Sequence, residues 1–192
     1  FLAAPLLVCE CGKKYTALAI ERAMRARGMD ADFRATGQTG VLIAERGVAI
    51  DAVIADFISG AAEWISPDNQ ADHWDLIEGQ GSLFHASYAG VSMGLLHGSQ
   101  PDLLVLCHEP TRRHMRGLPH APIPDLDECI ALNLATARLT NPNCRMLGLS
   151  VNTSALSPED AERYLAETSA KLSLPCLDAI RGDADGFLDY LD

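Results

Sequence analysis

Leu103-Leu104-Val105-Leu106-Cys107 is apolar at every position rather than at alternate ones. A strand with one wet face alternates, whereas a strand covered on both faces does not need to, and continuous runs of this kind belong to parallel sheets sandwiched between helices. The rest of the chain repeats the theme. Apolar runs near 5–9, 31–36, 73–78, 103–108 and 145–151, with a weaker one near 174–178, read as strands. Stretches with helical spacing fall between them, over 13–28, 50–65, 88–97, 125–140, 158–172 and 184–191. Two of these helices carry terminal signals. Arg27-Gly28 closes the first with a cation and a glycine, and Ser157-Pro158-Glu159-Asp160 opens the fifth with a cap, a proline and two acids. Strand–helix units in this order predict an α/β domain: a doubly wound, mainly parallel sheet with helices on both faces.

Length and charge restrict what such a domain does. The 192 residues fit one domain, and 48% hydrophobic content suits a buried core. A net charge of −11 disfavours nucleic acid and anionic membrane as partners, because both attract basic surfaces. No apolar run approaches the roughly 18 residues of a membrane span, so a cytoplasmic enzyme is expected. Six cysteines include none in a paired Cys-x2-Cys array; Cys9-x-Cys11 is weak as a metal signature, and no metal site is expected. Cys107, Cys144 and Cys176 lie in or beside strand segments, where a reduced buried thiol is the usual state.

The first strand runs into Gly12-Lys13-Lys14-Tyr15-Thr16 and then directly into helix. Strand, tight turn and helix N-terminus together aim backbone N–H groups and a lysine at a phosphate. The loop departs from Gly-x4-Gly-Lys-Ser/Thr in two ways: the first glycine is missing, and Lys14 stands where the magnesium-binding hydroxyl belongs. Phosphate binding without ATP hydrolysis is the expectation.

In doubly wound folds ligands collect at the carboxyl ends of the strands. Polar residues that a plain fold does not require fall at those ends: Thr36-Gly37-Gln38-Thr39-Gly40, Glu78-Gly79-Gln80-Gly81-Ser82, His108-Glu109 and Asn152-Thr153-Ser154. Glu78 offers a carboxylate before two glycines, suited either to taking a proton from an amine or to capping the next turn. His85 and His108 are the other candidate bases, since imidazole titrates near neutrality. His97, at a helix end, needs no role beyond the helix dipole. The loop over 109–124 carries Arg112, Arg113 and Arg116, whose guanidinium forks match carboxylates and phosphates.

The segments Gly12-Lys13-Lys14-Tyr15-Thr16-Ala17-Leu18, Ala35 to Gly40, Ile77 to His85, Leu95 to Pro101, Leu106 to Glu109 and Ser150 to Ser154 resemble one family across nearly the whole chain. That family long carried an unknown-function label, and its characterised members are D-glutamate N-acetyltransferases using acetyl-CoA. The resemblance implies a P-loop NTPase-like fold and acetyl transfer from acetyl-CoA to the amine of D-glutamate. It also implies a homo-oligomer, and a Rossmann-like domain ahead of Phe1 that this chain, taken as the single domain 1–192, does not include. On this reading Gly12, Lys13, Lys14, Tyr15, Thr16 and Asn152 serve the cofactor, Gln38, Thr39, Arg112, Arg113 and Arg116 bind substrate, and Glu78, His85 or His108 is catalytic. A more distant similarity to dethiobiotin synthetases supplies the alternative, a P-loop NTPase or Mg-ATP-dependent ligase with Glu78 near the metal and Asn152 reading the base. Compared with that branch, the loop before Cys9 is three residues short.

Overall fold

The structure is a computed structural model, described here for residues 3–5 and 12–191. Six strands run parallel: β1 (Ala3–Pro5), β2 (Asp30–Arg34), β3 (His73–Ile77), β4 (Leu103–His108), β7 (Arg145–Val151) and β8 (Cys176–Leu177). Between β4 and β7 lies an antiparallel pair, β5 (His114–Met115) and β6 (Leu118–Pro122). Strand order is β1-β3-β2 in one sheet and β4-β7-β8 in the other. The two sheets adjoin where β1 lies beside β4. Most of the expected first strand, and Cys9-x-Cys11 with the short loop around them, lie outside the described residues.

The continuous apolar runs divide their side chains between two cores, as strands covered on both faces must. Leu103 and Val105 of β4 join Ala17, Ile20 and Met24 of α1 (Lys13–Ala26), Phe33 of β2 and Phe187 of the C-terminal 3-10 helix (Asp183–Tyr190). Leu104 and Leu106 turn the other way. They meet Leu95 and Leu96 of α4 (Ala89–Ser99) and Cys129 and Ala137 of α5 (Leu126–Ala137). Each fully buried Leu or Phe contributes about 1.5–3 kcal/mol, so the sheet is held from both sides. In β7 the register against β4 shifts between Leu104 and Val105, which leaves Leu147 as an extra residue. That bulge sends Leu147 to the α1 face while Met146, Leu149 and Val151 pack on the other.

Local signals act where the sequence places them. Ser157 Oγ accepts the Asp160 N–H at 3.1 Å at the start of α6 (Pro158–Leu172). Gly28 follows α1 at φ +78°. Four expectations change. The expected helix over 50–65 divides into two 3-10 turns, Ile50–Ala52 and Ala55–Phe57, before α3 (Ile58–Ile65), because Val53 and Ile54 stay extended. A short helix, α2 (Gln38–Ala44), occupies a stretch whose glycines hid it. The loop over 109–124 contains the β5–β6 hairpin. The C-terminal helix is 3-10 rather than α.

Candidate functional site

The strands' carboxyl ends bring together the start of α1 and the loops after β2, β3, β4, β7 and β8. Gly12 caps α1 at φ +91°, a left-handed conformation that glycine adopts without strain, and no side chain caps this end. Lys13 Nζ donates to the Gln80 carbonyl at 2.5 Å, bridging α1 to the loop after β3. Lys14 Nζ lies 5.2 Å from the centre of the exposed Tyr15 ring. Thr16 faces inward: its Oγ1 is 2.8 Å from Ser150 Oγ and receives the Cys107 thiol at 3.7 Å, so this hydroxyl secures α1 to β4 and β7.

Glu78 is buried and holds the loop after β2. Its Oε2 accepts the N–H groups of Thr36 at 3.2 Å and Gly37 at 3.0 Å, while its carbonyl accepts Thr36 Oγ1 at 2.5 Å. Gln80 Nε2 donates back to Thr36 Oγ1 at 2.7 Å. A Cβ on Gly40 would stand 2.1 Å from Glu78 Oε2, so only glycine lets α2 approach this carboxylate. Burial pushes the Glu78 carboxyl above its ordinary range, while the two backbone N–H groups and the charges of Lys14 and Lys13 pull it back. Gln38 and Thr39 are exposed in the first turn of α2.

His85 is 2% exposed. Its Nδ1 accepts the Ser87 N–H at 3.1 Å, its Nε2 lies 2.9 Å from the Arg116 carbonyl, and the ring stacks on Tyr88. His108 is half-buried at the end of β4, with its ring stacked on Tyr164. Burial lowers its pKa, against an opposing pull from Glu109. Beside it, a small pocket of about 30 Å³ is lined by His108, Glu109, Arg112, Met115, Leu126 and Cys129. Arg112 Nε lies 3.5 Å from Glu109 Oε2, and Arg113 and Arg116 are exposed on the hairpin. The structure thus gathers His108, Glu109 and Arg112 around one pocket, and Lys13, Gln80, Thr36 and Glu78 around one bonded cluster.

Asn152 Oδ1 accepts the Ser154 N–H at 3.1 Å and hydroxyl at 2.7 Å, closing a turn after β7. The residue that organises this wall escaped sequence reasoning. Asp178, 1% exposed, takes the Thr153 N–H and hydroxyl on Oδ2 and the Ile180 and Arg181 N–H groups on Oδ1. Ile180 in turn packs against Gly12. A carboxylate just past a strand, the signal that marked Glu78, was present in Leu177-Asp178 as well.

A larger cleft, about 610 Å³, opens at the opposite end of the strands, with Ser66, Asp68, His73, Asp75, Asp102 and Asn141 among its lining residues. Its most buried carboxylate, Asp75, is already matched by Arg34 at 2.6 Å, Ser66 at 2.6 Å and His73 at 3.1 Å. That end lacks the lysine-bearing helix start, which lies with the smaller pocket at the carboxyl ends of the strands. Among the described residues no three or more His, Cys, Asp or Glu side chains cluster as a metal site requires. Among them, too, no helix is long and apolar enough to cross a membrane.

The family described as "Domain of unknown function (DUF1611_C) P-loop domain" matches residues 8–188. A protein of Tritonibacter scottomollicae named D-glutamate N-acetyltransferase is 55% identical over 183 residues, covering 95% of this chain and 55% of its own. A Pseudoalteromonas protein of the same name is 54% identical with the same coverage. The crystal structure of a DUF1611 family protein from Anabaena variabilis superposes with TM-score 0.88 at 38% identity, over 98% of this chain and 55% of that one. The chain therefore spans about half the length of the relatives it matches.

Proposed function

The chain belongs to the DUF1611 family, matching its C-terminal P-loop domain, and from that membership and the strand-end site we propose that it carries the P-loop half of a D-glutamate N-acetyltransferase. The observation that carries this reading is 54–55% identity over 183 residues to two proteins of that name. The relatives are longer than this chain, and the proposal keeps the Rossmann-like domain ahead of this one that the resemblance implies.

In this reading Gly12, Lys13, Lys14 and the first turn of α1 hold phosphates of acetyl-CoA, with Tyr15 at the rim and Asn152 on the opposite wall. The thioester supplies the acetyl group. The amine nitrogen of D-glutamate forms a bond to the acetyl carbon, the carbon–sulfur bond breaks, and CoA leaves as the thiolate. The proton lost by the amine passes to a base and from there to the thiolate. His108 is the base put first, because burial shifts its imidazole toward the neutral form and it lines a pocket with Arg112. Arg112, Arg113 and Arg116 answer the substrate carboxylates, with Gln38 and Thr39 at the edge. Glu78 positions the loop after β2 through Thr36 and Gly37; it becomes the base if His108 proves dispensable. A cytoplasmic homo-oligomer completes the proposal, and exposed Ile54, Phe57 and Trp64 are the side chains an assembly would cover.

The P-loop fold also admits the alternative of a Mg-ATP-dependent enzyme. Titration calorimetry of the full-length protein separates the two. Acetyl-CoA binding, with acetylation of D-glutamate in preference to L-glutamate, is the expected result. Tight Mg-ATP binding without acetyl-CoA binding overturns the proposal.

A further inference from the structure

The three arginines sit on or beside a structural element too small to hold itself in place. β5 and β6 pair only at His114↔Pro122 and Met115↔Leu118, and Gly117 turns the chain at φ +75°. A lone two-stranded ribbon of this size is marginal in water. What fixes it comes from elsewhere in the fold. Met115 is buried against the pocket of His108 and Arg112, the Ile123 N–H donates to the Arg113 carbonyl at 3.1 Å, and the tip is met by His85.

The hydrogen bonds of the His85 ring define what it does. The Ser87 N–H points at Nδ1 from 3.1 Å, so Nδ1 is the acceptor nitrogen. A neutral imidazole then carries its hydrogen on Nε2, which faces the Arg116 carbonyl at 2.9 Å. Stacking on Tyr88 at 4.2 Å between ring centres, with the His85 N–H donating to the Ser82 carbonyl at 3.0 Å, fixes the ring to the start of α4. A ring held this way has its lone pair facing one backbone N–H and its own N–H facing one carbonyl. That is the geometry of a spacer between two loops.

We propose that His85 is a positioning residue, a latch through which the start of α4 holds the tip of the β5–β6 hairpin and so sets the arginines that receive the substrate carboxylates. The proposal rests on the acetyl-transfer reading above for its substrate, but the latch itself is a property of the fold. It gives His85 a role in D-glutamate affinity and none in the proton transfer. Arg112, half-buried beside Glu109, and the exposed Arg113 and Arg116 shift together when the Arg116 carbonyl is released.

Three substitutions in the full-length enzyme test it. His85→Gln keeps a donor where Nε2 stood; His85→Asn keeps the acceptor for Ser87 but falls short of Arg116; His85→Ala keeps neither. Losing one such hydrogen bond is expected to raise KM for D-glutamate about tenfold in the Ala and Asn variants, with kcat changed less than about threefold and KM for acetyl-CoA unchanged. His85→Gln restores KM to near the wild-type value. Hydrogen–deuterium exchange supplies a readout independent of activity: amides over 112–118 exchange faster in His85→Asn and His85→Ala than in wild type or His85→Gln. Should His85→Ala fail to fold, the Asn and Gln pair carries the comparison. Equal protection of 112–118 in the wild-type and Asn proteins overturns the latch, and a hundredfold loss of kcat in His85→Gln with KM unchanged makes His85 the base instead. If the wild-type enzyme leaves D-glutamate untouched, the acetyl-transfer reading fails while the exchange experiment still decides the latch.

Discussion

Glu78 Oε2 accepts the Gly37 N–H at 3.0 Å, so a carboxylate at the end of β3 caps the turn into α2, 41 residues earlier in sequence. The bond sits beneath Gly40, where a Cβ would stand 2.1 Å from the same oxygen. Gly40→Ala therefore forces the carboxylate and α2 apart, and a loss of about 1–3 kcal/mol is expected from such overpacking. Urea denaturation followed by circular dichroism measures it; an unchanged midpoint would show that α2 can retreat freely.

The raised carboxyl of Glu78 also fixes the sign of a pH effect. Its folded-state pKa lies above the unfolded one, so the folded protein binds more protons across that interval and stability falls as pH rises through it. The contribution is fully present below the ordinary glutamate pKa. Glu78→Gln removes this slope, and melting temperatures of wild type and variant between pH 4 and 7 should diverge in curvature, not in offset alone.

His108 behaves in the opposite sense. Burial lowers its pKa, so the neutral imidazole persists to lower pH than in an ordinary histidine and the acid limb of kcat/KM should fall below about 6.5. As a proton acceptor, it should show a loss of about 10²–10⁴ in kcat when changed to Gln. A variant retaining full kcat would pass the role to Glu78.

Lys13 joins α1 to Gln80, and in the proposed function it also carries the charge offered to a phosphate. Lys13→Ala is expected to raise KM for acetyl-CoA by roughly 10–100-fold, the worth of one charge-assisted hydrogen bond, and to leave KM for D-glutamate nearly as it was. Steady-state kinetics with each substrate varied in turn would reveal the split. Unchanged acetyl-CoA kinetics would remove the α1 loop from the mechanism.

Cys144 and Cys176 are buried thiols, each pushed up to about 11 by desolvation. At pH 7.5 roughly one in three thousand of such groups is thiolate, so iodoacetamide should leave both unmodified in the native protein and alkylate both in denaturant. Mass spectrometry of the tryptic peptides reads this directly. Rapid native labelling at either position would mean that its core opens.

Much of the layout was legible because it rests on local patterns. The continuous apolar run of β4 and the largely apolar stretches of β3 and β7 located those strands, and the Ser157-Pro158 signal located α6. The clustering of polar residues at strand ends anticipated that Thr36, Glu78, His108 and Asn152 lie at the carboxyl ends of the strands. Other features depend on approach between distant segments. Nothing near Gly40 in sequence announces Glu78, and nothing near Arg116 announces His85, because both contacts span more than thirty residues and form only when the strands pair. Thr16, expected at the cofactor, turns instead to Ser150, since the first turn of α1 points that hydroxyl at β7. Asp178 went unread for the same reason: its four donors come from two loops brought together by β7 and β8.

The sequence by itself determined the class of fold and the strand ends at which the unusual polar residues gather, because strand coverage and helix spacing are set by hydrophobic periodicity over a few residues. Only the tertiary structure decided what each polar group at that end is occupied with. A buried carboxylate or imidazole must satisfy its hydrogen bonds from whichever backbone the packing brings within about 3 Å, and for Glu78, His85 and Asp178 those partners come from loops that only the pairing of the strands brings near.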